Sequence, residues 1–189
     1  MPLPAADVPR PRLIHLNGPP GIGKSTIARR YAADHPGVLN LDVDRLRSFI
    51  GGVGFLEAGE IVRPLGAALM TTHLSGGRDV VYPQLASDPA EVAGVERATR
   101  DGGGEYVGIV LMADQDASVR RFQERPDDPA TPWLDEVREI VEGLGGDDAL
   151  RDYHQALLDL AASRADTVIT AREGQVEATY ASLLEALGH

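Results

Sequence analysis

Gly18-Pro19-Pro20-Gly21-Ile22-Gly23-Lys24-Ser25 completes the pattern G-x-x-x-x-G-K-[ST]. Few short patterns constrain a chain so strongly. A phosphate-binding loop of this type works only between a β-strand and the N-terminus of a helix, so it predicts both at once. Lys24 is also the only lysine here; every other member of the 18 basic residues is arginine. Arginine's planar fork suits paired oxygens but is bulky for a tight loop. A compact ammonium on a flexible stem can reach β- and γ-phosphate oxygens.

The flanking residues agree. Leu13-Ile14-His15-Leu16-Asn17 is a short apolar run that reads as a buried strand. Ile27, Ala28, Tyr31 and Ala32 follow at helical spacing, and Pro36-Gly37 stops the pattern. Residues 18–26 (Gly18, Pro19, Pro20, Gly21, Ile22, Gly23, Lys24, Ser25, Thr26) are thus the expected nucleotide cradle. Its backbone N–H groups and the helix N-terminus face the phosphates. The Ser25 hydroxyl is the expected Mg²⁺ ligand. The glycines at 18, 21 and 23 are in the wrong order for a dinucleotide-type G-x-G-x-x-G turn.

At 189 residues the chain reads as one domain with a substantial core. Its net charge of −11 argues against long nucleic acid as a partner, which needs basic surface. With no cysteine, disulfides, thiolate zinc sites and thiol nucleophiles are excluded. No apolar stretch is long enough to span a bilayer. Residues 1–11 read as a loose, proline-rich leader without the apolar centre of a signal peptide. The expected location is cytoplasmic.

Further along, strands and helices alternate. Val38–Leu41 reads as a second strand, then a helix through Arg45, Leu46, Phe49 and Ile50 is broken at Gly51–Gly54. Glu57–Ser75 reads as a long helix with apolar positions at 61, 62, 65, 69 and 74; Pro64 either kinks it or sits in its first turn. Asp79–Leu85 reads as a third strand opening into a loop, Pro89–Arg100 as a helix, and Tyr106–Met112 as the fourth strand. Ser118–Arg125 reads as a helix stopped by Pro126. Asp127–Pro132 reads as a mobile loop. Thr131 then caps a helix with Pro132 at its first position and a stripe of Leu134, Val137, Val141 and Leu144. A helix over about 149–164, a fifth strand at 166–170, and a terminal helix facing Val176, Tyr180, Leu183, Leu184 and Leu187 inward complete the chain. The class is α/β: a parallel sheet covered on both faces, with ligands outside the carboxyl ends of the strands. The phosphate loop, Asp42, Asp44 and Gln84 all fall on that rim.

Asp44 is the candidate base. Phosphoryl transfer needs positioning, charge neutralisation and a carboxylate to take the attacking hydroxyl's proton. Asp42 either reaches Mg²⁺ or caps the next helix. Arg47, one turn past Asp44, either binds substrate or orients that carboxylate. Arg121 and Arg125 share a helix face, with Arg120 turned away, and are positioned to clamp phosphates or stack on a base. Salt bridges from these arginines to Asp116 or Glu124 are the plainer alternative. The third strand leads to Pro83-Gln84 rather than to an acid, and Asp114 follows a strand on the far side of the first. Mg²⁺ is therefore expected to rely on Ser25, the phosphates, water and the Asp42/Asp44 pair. His15 reads as packed, His35, His73, His154 and His189 lack metal spacing, and Trp133 reads as a packing anchor. Without a second lysine there is no Asn-Lys-x-Asp guanine-reading motif, so ATP is the expected donor.

With these residues in place, the chain resembles the small P-loop kinases of the adenylate-kinase-like group, and within it the chloramphenicol phosphotransferase and zeta-toxin-like families. The resemblance rests on Leu16-Asn17-Gly18 entering the loop, on Val43-Asp44-Arg45-Leu46-Arg47, and on Arg121-Phe122-x-x-Arg125. It implies a P-loop NTPase three-layer sandwich with strand order 2-3-1-4-5 and an arginine-bearing lid over about 120–148. It also implies that Asp44 activates the acceptor hydroxyl. Pro83-Gln84 departs from the acids of the chloramphenicol enzymes, so that drug is not assumed.

The expectation is an ATP- and Mg²⁺-dependent kinase of a small hydroxylated molecule: an antibiotic, nucleoside or sugar. In it Lys24, Asp44 and Arg125 are catalytic, Arg121 binds nucleotide, Asp44, Arg47 and Gln84 meet the acceptor, and Ser25 and Asp42 meet the metal. The acceptor region spans about 45–78. Two alternatives stand beside it: a nucleotide-dependent regulatory or binding module, and a toxin-type kinase of a nucleotide-sugar or a nucleic-acid 5′-hydroxyl. Oligomeric state is open.

Overall fold

Leu13, Ile14 and Leu16 are all fully buried, as they must be in a central strand covered on both faces. The computed structural model describes residues 10–127 and 132–189. The strands are β1 (Arg12–Asn17), β2 (Leu39–Asn40), β3 (Val80–Tyr82), β4 (Glu105–Met112) and β5 (Thr167–Thr170). The helices are α1 (Lys24–Asp34), α2 (Val43–Arg47), α3 (Phe55–Ser75), α4 (Pro89–Asp101), α5 (Gln115–Gln123), α6 (Leu134–Gly143), α7 (Asp147–Arg164) and α8 (Val176–Ala186). All strand pairs are parallel, in the order β2-β3-β1-β4-β5. This is the three-layer arrangement and strand order expected.

Alternation along β1 feeds the two outer layers. Ile14 and Leu16 pack with Ile27 and Tyr31 of α1 and Tyr180 and Leu183 of α8. Leu13, on the other face, packs with Met70 and Leu74 of α3 and Ala98 of α4. Val110 and Met112 of β4 meet Leu157 and Ala161 of α7. Among the described residues, no helix is long and apolar enough to cross a membrane.

Several boundaries differ from the sequence reading. Strand β3 stops at Tyr82 rather than Leu85, because Pro83 has no N–H for the ladder. Helix α2 ends at Arg47, which leaves Phe49 81% exposed. Helix α3 begins at Phe55, and Pro64 lies in its interior rather than its first turn. Its expected apolar stripe is split. Val62 and Leu74 are buried, but Ile61, Leu65 and Leu69 are exposed, and Ala58, Gly59, Gly66 and Met70 complete the inner face. Small residues there allow close approach: a Cβ on Gly66 would fall 2.7 Å from Val43 Cγ1 on α2. Helix α5 starts earlier, at Gln115, capped by the Asp114 carboxylate accepting from Asp116 and Ala117 N–H. On α6, Leu134 and Val141 are buried but Leu144 is exposed, and on α8 Val176 is exposed. The proposed Thr131 cap, most of the expected loop at 127–132 and most of the leader lie outside the described residues.

Candidate active site

The turn from β1 to α1 is built on left-handed glycines, with φ of 142° at Gly18, 78° at Gly21 and 106° at Gly23. Gly23 occupies the N-cap of α1 and no side chain caps that end, so its first amides have no side-chain partner. Lys24 Nζ folds back over the loop and donates to the carbonyls of Gly18 at 2.7 Å and Pro19 at 3.0 Å. Burial pulls the ammonium down from 10.5 to about 8; Asp44 and Asp42 oppose this and Arg125 adds to it. The field at Lys24 thus contains both candidate acids and Arg125.

Helix α5 rests directly on the loop. A Cβ on Gly21 would fall 3.0 Å from the Arg121 carbonyl oxygen. This brings Arg121 and Arg125 to the loop's edge, and both line the cavity. Arg121 Nε is buried without a hydrogen-bond partner among the described residues. Arg120 turns outward and pairs weakly with exposed Glu173 at 3.7 Å. The alternative pairings to Asp116 or Glu124 do not form, since Asp116 meets Arg151 instead.

Asp42 and Asp44 flank the start of α2. Asp42 takes the N-cap position without a side-chain capping bond. Burial raises its pKa and the Asp44 carboxylate raises it further, while the Ser25 hydroxyl and the Asp44 amide pull the other way. A hydroxyl beside a carboxylate that resents its own charge is a donor set suited to a hard divalent cation. No group of three or more His, Cys, Asp or Glu side chains arranged for a metal occurs among the described residues.

Asp44 Oδ1 accepts from Arg47 Nε at 3.0 Å. Arg47 is itself held: its Nη1 donates to the Phe55 carbonyl, and its guanidinium lies 3.8 Å from the Phe55 ring centroid. Of the two roles open for Arg47, orienting Asp44 is the one its contacts describe.

A cavity of about 1520 Å³ runs from the loop past Asp44 to the wall formed by α3, α4 and the segment after β3. Lys24, Ser25, Asp42, Asp44, Arg47, Gln84, Arg121 and Arg125 all line it, as do Pro20–Ile22 and Thr26 of the cradle. Gln84 Oε1 is buried there with no hydrogen-bond partner among the described residues. Trp133 and Leu134 line the side over α5 and α6. His15, fully buried, packs as expected: its Nε2 donates to the Gln84 carbonyl, and its Nδ1 accepts from Tyr106 O–H, each at 2.9 Å.

Sequence reasoning missed part of this lining. Phe55 and Tyr82 line the cavity, as do Arg172 and Glu173 after β5. The position of Arg172–Glu173 just past a strand's carboxyl end was the available signal. Phe55 lies within the expected acceptor region of about 45–78, but no motif singled it out.

A protein-family model described as an AAA domain matches residues 13–143, and the chain belongs to that family. Among solved structures, shikimate kinase from Bacteroides thetaiotaomicron is 23% identical with a TM-score of 0.58, covering 95% of this chain and 99% of that one. The Deinococcus radiodurans tunicamycin resistance protein is 19% identical with a TM-score of 0.59, covering 95% and 96%. The Mycobacterium tuberculosis APS kinase in complex with AMPPNP and APS is 15% identical with a TM-score of 0.59, covering 96% and 99%. At these identities the likeness is one of fold, and that fold is the small P-loop kinase fold. A search of curated proteins finds no match.

Proposed function

We propose that this member of the AAA-domain family is a phosphotransferase that moves the γ-phosphoryl group of ATP to a hydroxyl of a small molecule. The observation that carries the reading is one continuous cavity with Lys24 and Ser25 at one end and Asp44 on the way to a separate pocket wall. A donor and an acceptor can then lie in line across Asp44. The kinase names of two structural neighbours support the reaction class.

The loop amides and Lys24 bind the β- and γ-phosphates, and Arg121 and Arg125 add charge from above. The acceptor oxygen attacks the γ-phosphorus; an O–P bond forms as the bond to the β–γ bridging oxygen breaks, and ADP leaves. The acceptor's proton passes to Asp44, held by Arg47 so that Oδ2 has no protein hydrogen bond among the described residues. Ser25 and Asp42 would hold Mg²⁺, which when bound offsets phosphate charge. Gln84 Oε1, lacking a partner, would accept from an acceptor hydroxyl. The acceptor class is an antibiotic, nucleoside or sugar.

A regulatory binding module is the second reading, favoured by the Pro83-Gln84 segment where an acid would help the metal. The test is transfer of label from γ-labelled ATP with Mg²⁺ to pooled nucleosides, sugars, hydroxylated antibiotics and short 5′-hydroxyl oligonucleotides. Asp44→Asn should abolish labelled product while retaining ATP binding. Nucleotide binding that depends on Lys24 but yields no product from any pool would favour the second reading.

A further inference from the structure

Strand β3 ends at Tyr82, so the segment carrying Gln84 and Ala86 has no ladder to hold it in place. Two side chains of β1 do so instead. His15 and Asn17, two residues apart, share one face of the strand. His15 Nε2 donates to the Gln84 carbonyl at 2.9 Å. Asn17 Nδ2 donates to the Ala86 carbonyl at 2.7 Å, and Asn17 Oδ1 accepts from Ala86 N–H at 3.0 Å. The same Oδ1 accepts from Gly18 N–H at 2.8 Å, at the first residue of the phosphate loop.

One carboxamide, only 5% exposed, therefore ties the loop's entry to the acceptor wall. Neither side has slack. Gly18 sits against β4, where any Cβ would overlap the Leu111 carbonyl oxygen. Ala86 is itself buried. Asparagine suits the position because it offers a donor and an acceptor together; aspartate would set a carboxylate against the Ala86 carbonyl.

We propose that Asn17 is a positioning residue that couples nucleotide occupancy of the phosphate loop to the placement of Gln84–Ala86 at the acceptor end. This rests on the nucleotide-binding reading above. Phosphates that order the loop amides fix Gly18 N–H, and Oδ1 passes that restraint to Ala86 N–H. Linkage makes the effect reciprocal: a molecule seated against Gln84 tightens nucleotide by the same factor.

The experiment is amide hydrogen exchange on the whole chain, with and without a non-hydrolysable ATP analogue and Mg²⁺. Wild type, Asn17→Ala and Asn17→Ser are compared. Serine is too short to reach Ala86 but keeps a hydroxyl at the end of β1, a smaller change than alanine, which guards against a variant that fails to fold. In wild type the analogue should slow exchange in peptides covering both 18–26 and 83–90, the latter by about fivefold or more. In both variants protection at 18–26 should persist while the analogue no longer alters 83–90. A purely structural role would raise exchange at 83–90 equally with and without analogue and leave the ratio unchanged. That outcome, or a wild type whose 83–90 segment ignores the analogue, overturns the proposal. A wild type that binds no analogue at all brings down the nucleotide reading itself, and the coupling with it.

Discussion

The Glu136 carboxylate of α6 accepts the backbone N–H of Phe55 at 2.7 Å, across 81 residues of sequence. Phe55 opens α3, whose N-terminus favours an anion. The Phe55 carbonyl is taken by Arg47, and Arg47 holds Asp44. Helix α6, which follows Arg121 and Arg125 in the chain, is thus connected through Phe55 and Arg47 to the proposed base.

Glu136→Ala should therefore lower the transfer rate by up to about a hundredfold, the scale of a misplacement of about 1 Å at the reacting groups. Nucleotide affinity should stay near wild type, because no contact with the loop is removed. Single-turnover transfer beside an equilibrium nucleotide titration separates the two quantities. Equal losses in both would mean that Glu136 supports the whole α5–α6 side of the cavity rather than Asp44.

Arg47→Lys should be far from conservative. Arg47 is nearly buried, with a side-chain exposure of 10%, and it meets Asp44 and the Phe55 carbonyl with different nitrogens of one fork. A lysine has a single nitrogen and cannot reproduce that spread. Both partners are half-buried, so leaving one unpaired costs less than a fully buried group would, about 1 kcal/mol. A denaturant titration should show a loss of that order, with transfer reduced more than nucleotide binding. A variant as stable and active as wild type would show that Arg47 does not orient the base.

Lys24 gives the site a pH signature. Its folded pKa of about 8 lies below its ordinary 10.5, so the unfolded chain binds more protons between those values. Stability of the ligand-free protein should therefore rise with pH across that window, by on the order of 3 kcal/mol. Nucleotide affinity should move the opposite way. Phosphates favour the ammonium form, so affinity is level below about pH 8 and then falls by up to about tenfold per unit. Titrations with an ATP analogue from neutral to alkaline pH check this, with Lys24→Met as the control that should be weak and flat. A level wild-type curve would remove Lys24 from the phosphate contacts.

How far the sequence reaches into this site follows from the range of each interaction. The loop, its strand and its helix are contiguous, so sequence pattern alone predicts them. Asp42, Asp44 and Gln84 fall on the same rim because parallel strands present their carboxyl ends together. The roles of Asn17 and Glu136 were not legible, since each depends on a partner 69 or 81 residues away. Nor was the true inner face of α3. Leucines at 65 and 69 mislead because small residues, Ala58, Gly59 and Gly66, fill the packed face between Val62, Met70 and Leu74, and Gly66 allows close approach to Val43 of α2. The early end of β3 was foreseeable from Pro83, but not that β1 side chains would replace the missing ladder.

His15 is one such side chain, and it should make the fold sensitive to acid. Burial depresses its pKa from 6.5 to about 4; the Gln84 carbonyl opposes this, and the charges of Lys24 and Arg164 add to it. Between those values the unfolded chain binds the extra proton, so stability rises with pH there and is lost as pH falls through 6.5 toward 4. The expected loss from this one group is on the order of 3 kcal/mol. A protonated ring could no longer accept from Tyr106 O–H, so acid would also loosen the tie to β4. His15→Gln keeps a donor but cannot titrate. It should be less stable than wild type at neutral pH and close that gap as pH approaches 4, when both are followed by denaturant unfolding. A gap that stays constant with pH would assign the acid sensitivity to other groups.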